Sequence, residues 1–359
     1  MRKSPLPMHR EKPGTTALIF ATALILLLAG CAPSKEALRQ QAAGHRTLAV
    51  AYWGKGWQAR PLHERIAPAP AELIEKIVIE NRLYGFPERP VAAAPTPEFS
   101  AALRHIEQIL PGKVRRLAGE RIIGLFLVND LGGSGYTEAI KDETGKEKYA
   151  VIVLDQKILL AKPANAWATW RERSFFKTPA PGQEVDLHLR IEEVPNDSVE
   201  NAIVQILLHE IGHALGMASN IHPSWNGDGT LPPGYPFPAL SWRMQGDKVE
   251  SLWEEAFPER KSLKIYAFDD APLTAGQARG SYGHLARTGF ATLYAAVSPW
   301  EDFAESFVNY LHVVRDKKPY EVLIREAGKP DAVISACWNE KRCAAKRAFL
   351  EQWLEEPLH

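Results

Sequence analysis

Between Val199 and Gly216 the chain is apolar over more than one face of a helix, through Ile203, Ile206, Leu207, Leu208, Ile211 and Leu215. The same turns carry His209-Glu210-Ile211-Gly212-His213. A helix that is hydrophobic all round is a buried one, so the fold must wrap this segment completely. Burial then constrains the chemistry, because two imidazoles and a carboxylate are costly in an apolar interior unless something satisfies them. The helix is expected to start at Pro195-Asn196-Asp197-Ser198, with Asp197 and Glu200 spaced as a capping box, and to stop near Gly216.

His209 and His213 are four residues apart, so they share a helix face, and both can place a ring nitrogen about 2.1 Å from one zinc ion. Glu210 is not needed as a ligand. It is suited instead to take a proton from metal-activated water and return it to a leaving amine. Gly212 leaves room for another segment to cross closely. Five residues of this kind also arise by chance, and their setting in a capped, apolar helix is what gives them weight.

A hydrolytic zinc site needs a third protein ligand. The metzincin arrangement would put a His three residues after Gly216, where this chain has Ser219, and His222 lies beyond the expected helix end. Downstream, Ser298 and Pro299 start a second helix with an apolar stripe of Trp300, Phe303, Phe307, Tyr310 and Leu311. Glu301 and Glu305 share one of its faces, which suits one carboxylate on the ion and another fixing a ligand His through its second ring nitrogen. Read locally, Ser298-x-x-Glu301 is equally a capping box, with Glu301 serving only its own helix.

His209-Glu210-x-x-His213, followed by Tyr294, by Glu301 seven residues later and by Glu305 four after that, resembles the catalytic domain of anthrax lethal factor-type peptidases. The resemblance covers roughly Val199–Tyr310 and is gluzincin-like. It implies that Glu301 is the third zinc ligand, that Glu305 supports a ligand from behind, and that Tyr294 donates a hydrogen bond to the developing oxyanion. Tyr282, in Ser281-Tyr282-Gly283-His284, is a competing tyrosine at a different distance from Glu301, and His284 is not expected to bind the metal. The resulting expectation is a zinc-dependent metallopeptidase acting on peptide or protein substrates. An amidase acting on cell-wall peptides and a non-catalytic, zinc-stabilised lipoprotein remain as alternatives.

The surrounding pattern predicts an α+β fold of zincin-like type, with a small mixed sheet beside the metal helix and a second helix carrying Glu301. Helices are expected over Ala71–Asn81 and Phe99–Leu110, with the proline-rich Phe86–Pro97 extended between them. Strands are expected over Arg121–Val128, Tyr149–Leu154 and Val185–Ile191, the last alternating Val185, Leu187, Leu189 and Ile191 inward. Tyr149–Leu154 is either an edge strand for an extended substrate or a fully paired interior strand. Gly132-Gly133-Ser134-Gly135 lacks the Lys-Ser/Thr of a phosphate loop and reads as a plain turn. Asn220–Arg260 is either a lid or an ordered insertion. The metallopeptidase-like part spans 47–359, with an N-terminal helical portion over about 47–118 and the catalytic core over about 119–330.

At the N-terminus Arg2, Lys3, Arg10 and Lys12 precede an apolar run from Ala17 to Ala29, the layout of a secretory signal. A run of about thirteen residues is short of the roughly twenty that span a bilayer. It ends in Leu28-Ala29-Gly30-Cys31, which resembles the lipobox of bacterial lipoproteins. That implies loss of residues 1–30, a lipid on Cys31, a small polar tether over 31–46, and residence in the bacterial cell envelope. Ala32 in place of Asp resembles the outer-membrane sorting choice, with the chain facing the periplasm. An ordinary signal peptide with Cys31 incidental is the simpler alternative. Residues 1–30 carry four of the 43 Lys+Arg and one of the 43 Asp+Glu, leaving a net formal charge of −3, which favours no nucleic-acid partner. Cys337 and Cys343 then remain to pair across Trp338–Arg342 in an oxidising compartment.

Overall fold

The structure is a computed structural model that describes residues 33–182, 184–225 and 230–355. The expected signal segment 1–30 and Cys31 lie outside the described residues. Helix and strand mix in an α+β architecture with several small sheets.

Helix α1 (Lys35–Ala43) comes first, and the stretch read as a tether over 31–46 is therefore helical from Lys35. Ser34 caps it by accepting from the Ala37 N–H, and Leu38 and Ala42, one turn apart, pack on Ile79 and Leu83 of α2 (Ala71–Tyr84). Two apolar positions are too few to mark a helix in the sequence, but they suffice once α2 supplies a surface. Helices α3 (Pro97–Ile109) and α4 (Gly112–Arg121) follow, the first close to its expected bounds.

The main sheet contains β1 (Ile66–Pro68), β2 (Val91–Ala92), β3 (Ile122–Asn129), β4 (Gly135–Lys141) and β5 (Glu147–Asp155). Its order is β1-β3-β5-β4, with β2 also pairing β3; β1, β3 and β5 run parallel, and β2 and β4 antiparallel to their neighbours. Tyr149–Leu154 is thus an interior strand, held by β3 on one side and β4 on the other. The edge next to it is β4, which the sequence pattern did not single out. Its alternation is masked because both faces are buried: Thr137 reaches Glu210 on one side while Glu138 pairs with buried Lys76 on the other.

Helices α5 (Gln156–Leu160) and α6 (Ala164–Arg173), the short β6 (Phe176–Lys177) and β7 (Val185–Arg190) lead to α7 (Val199–Ala218). Ser198, not Asp197, caps α7 by accepting from the Asn201 N–H; Asp197 accepts from the Asn165 N–H of α6 instead. Nor does α7 stop at Gly216, but runs two residues further. Every residue from Ala202 to Met217 is buried, against β4, β5, α3, α4 and α6.

Beyond α7 come the hairpin β8 (Trp242–Gln245) and β9 (Lys248–Ser251), β10 (Leu273–Thr274) paired with β6, α8 (Ala278–Leu285) and α9 (Pro299–Tyr310). The described part of 220–260 is an ordered insertion: Phe237, Trp242 and Phe257 are buried, and the Trp242 indole donates to Asp302 on α9 at 2.9 Å. Strands β11 (Glu321–Glu326) and β12 (Ala332–Ser335) complete a second sheet in the order β12-β11-β7. There Leu187 and Leu189 face inward, opposite Ile324 and Val322. Helix α10 (Ala344–Glu355) closes the chain, preceded by a disulfide between Cys337 and Cys343.

Candidate metal centre

Helices α7 and α9 cross where Gly212 faces Ala304. A Cβ on Gly212 would lie 3.0 Å from the Ala304 Cα, so glycine is what permits the approach. The crossing brings His209 and His213 opposite Glu301. Ser298 caps α9 by accepting from the Glu301 N–H at 3.2 Å, but the Glu301 carboxylate turns away from its own helix. Its Oε2 lies 3.1 Å from His213 Nε2 and 3.3 Å from His209 Nε2, and the two ring nitrogens are 3.1 Å apart. Among the described residues this is the one group of three such side chains able to share an ion.

The triangle fits a metal. A tetrahedral ion about 2.0–2.1 Å from each ligand sets neighbouring ligand atoms about 3.3–3.4 Å apart. Three lone-pair atoms converging in a buried space also repel unless a cation or proton lies between them. Burial opposes a charge on His209, yet Glu301, Glu305 and Glu210 outweigh it and lift that ring to about 10. Burial likewise opposes ionisation of Glu301, and the two histidines hold it well below the usual carboxylate range. A metal ion here would displace that proton, because an imidazole must be neutral to act as a ligand.

Glu305 lies one turn along α9, and its Oε1 is 2.9 Å from His209 Nδ1. The N–H direction is off that line, so the contact is better described as an ion pair than as a well-aligned hydrogen bond. Two further residues hold Glu305. Arg171 on α6 donates to Oε1 at 2.9 Å and Thr292 donates to Oε2 at 2.8 Å. Burial pushes the Glu305 pKa up, but Arg171 and His209 pull it down to about 2. The carboxylate is thus charged and fixed behind His209.

Glu210 accepts from the Thr137 hydroxyl of β4 at 2.7 Å. Burial raises its affinity for a proton above that of an ordinary carboxylate, against the opposing pull of His209, His213 and Thr137. Tyr294 sits in the 3-10 turn Tyr294–Ala296, its ring stacked on His209 at 5.4 Å and 15°. Burial, and after it the nearby negative charge of Glu301, push its phenol well above the usual value. The Arg171 guanidinium lies 5.5 Å from the same ring.

Other candidates fall elsewhere. The buried Tyr282 hydroxyl donates to Glu172, outside the metal group. His284 pairs with Glu259 at 2.6 Å. His222 is buried, bonded through Nδ1 to the Pro223 carbonyl at 2.9 Å, and packs where a Cβ of Gly216 would collide with it. Burial lowers it to about 4, so it is a neutral packing residue. The glycine-rich turn is structural: Ser134 accepts from the Trp167 indole at 2.9 Å and the Tyr266 hydroxyl at 3.0 Å. Thr137, Arg171 and Thr292 carry no motif and went unforeseen, because only the packing of β4 and α6 against α7, and of the turn before α9, gives them a role. Comparison of the chain with protein-family models, with characterised proteins and with solved structures finds no match.

Proposed function

We propose that the protein is a zinc-dependent metallopeptidase of the bacterial cell envelope. The observation that carries the reading is the meeting of two imidazole nitrogens and one carboxylate oxygen within 3.1–3.3 Å of one another, with Glu210 beside them. Two nitrogens and one oxygen suit zinc and leave a fourth position open. His209, His213 and Glu301 would hold the ion, which supplies Lewis-acid activation of water and of the scissile carbonyl.

Glu210 accepts the proton of the attacking water and passes it to the departing amide nitrogen. Its raised proton affinity suits both halves of that task, because a stronger acid would hold the proton too weakly at the first step. Thr137 keeps one carboxylate oxygen in place. The Tyr294 hydroxyl donates to the oxyanion of the tetrahedral intermediate. Among the described residues the outer edge of β4 is unpaired apart from a bridge between Ala49 and Lys141 at its end. An extended peptide there would gain backbone hydrogen bonds whatever its sequence, which favours a peptide over a small amide. An edge strand beside α7, and a third ligand on a crossing helix, also suit the zincin-like, lethal factor-type plan.

Glu210→Gln tests the chemistry. The variant should keep one equivalent of zinc and cut an unfolded protein about 10²–10⁴-fold more slowly. Full turnover in the variant overturns the mechanism, and cleavage of purified murein peptides without cleavage of unfolded protein replaces the substrate class.

A further inference from the structure

Only Ala32, Pro33 and Ser34 separate Cys31 from the first residue of α1. Three residues reach about 10 Å when fully extended. A lipid on Cys31 would therefore hold α1 against the bilayer surface, not on a long leash. What lies beside the start of α1 decides what touches the lipid.

Helix α1 runs antiparallel to α2. Just past the end of α1, Arg46 approaches Glu72 at 3.9 Å, near the beginning of α2. Leu38, in the first turns of α1, packs with Ile79 and Leu83 near the end of α2. The chain thus enters the fold next to Leu83–Phe86. There Tyr84 is 70% exposed, Phe86 52% and Val91 53%, half of the six large apolar residues that stand exposed among those described. They share one platform: the Phe86 N–H donates to the Asn81 carbonyl at 2.7 Å, the Asn81 amide donates to the Glu88 carbonyl at 3.1 Å, and β2, with Val91, pairs β3. Lys35, Arg82 and Arg89 are exposed along the same end, and Arg39 and Glu36, also exposed, pair with each other at 2.7 Å.

We propose that this end of the molecule rests on the membrane, with Tyr84, Phe86 and Val91 entering the interfacial layer and Lys35, Arg82 and Arg89 facing anionic headgroups. Aromatic side chains with an apolar body favour that layer, and basic residues are drawn to an anionic surface. The proposal rests on the reading of Cys31 as the lipid attachment point, and is independent of catalysis.

In the lipidated full chain Cys31 is capped and Cys337–Cys343 is oxidised, so Tyr84→Cys or Phe86→Cys introduces the only free thiol, ready for a nitroxide label. Val194→Cys, just after β7, and Val333→Cys, in β12, replace exposed residues and serve as references. In vesicles of phosphatidylethanolamine and phosphatidylglycerol, labels at 84 and 86 should collide several-fold more with oxygen and several-fold less with a water-soluble nickel chelate than labels at 194 and 333. Equal accessibility at all four positions, in protein that floats with the vesicles, overturns the membrane face and leaves the anchor standing. Protein that does not float overturns both.

Discussion

Glu305 is a buried carboxylate held ionised by Arg171 and Thr292 directly behind His209, a proposed metal ligand. Removing its counter-charge should therefore be felt in two ways. Arg171→Met leaves an uncompensated buried charge, expected to cost about 3–5 kcal/mol of stability. It also frees His209 to rotate, weakening metal affinity about 10–100-fold. Arg171→Lys keeps the charge but loses the planar fork and should fall between the two. Competition with a chelating dye measures the affinity, and unchanged zinc binding in Arg171→Met would remove Arg171 from the site. Tyr294→Phe should leave the metal in place and lower kcat about 10²–10³-fold with KM little altered, the pattern of a donor acting only on the transition state. A drop confined to KM would make Tyr294 a packing residue.

At the scale of elements, the site depends on how closely α7 and α9 cross. Gly212→Ala would set a methyl 3.0 Å from the Ala304 Cα and 3.1 Å from the Phe307 ring. Neither neighbour is the loose end of a flexible chain, so α9 must shift and take Glu301 with it. We expect a cost of about 1–3 kcal/mol in denaturant melts, together with weaker zinc binding; lost stability with unchanged affinity would show that the crossing does not set the ligand distance. The helices themselves were legible in the sequence. His209 and His213 declare a shared face by their spacing, and Ser298-Pro299 declares the start of α9. Whether Glu301 serves its own helix or the histidines was not legible, since that depends on the crossing. The same holds for Tyr149–Leu154, where an apolar run fits an edge or an interior strand and only the pairing of β4 decides. In α1, Lys35, Glu36, Arg39, Gln40 and Gln41 dilute the two contacts that make it a helix.

For the molecule as a whole, two buried carboxyls pull stability in opposite directions with pH. Burial lifts Glu172 to about 7, against the Tyr282 hydroxyl and Arg171, from an ordinary 4.5. Its folded form therefore prefers the proton, and its contribution is complete below about pH 4.5 and lost as pH rises through about 7, on the order of 3 kcal/mol. Glu305, held down at about 2, contributes above its ordinary value and loses that contribution as pH falls through about 2. Urea midpoints at about pH 5 and about pH 8 should thus fall in the native protein and change less in Glu172→Gln. Equal slopes in the two proteins would mean that Glu172 is ionised in the fold.

Everything proposed for catalysis depends on His209, His213 and Glu301 holding one zinc ion. Crystals of the zinc-loaded protein, measured on either side of the zinc absorption edge, test it most directly. A single anomalous peak is expected about 2.0–2.2 Å from both Nε2 atoms and from a Glu301 carboxylate oxygen. A peak elsewhere, or Glu301 folded back onto the N–H groups of its own helix, would contradict it.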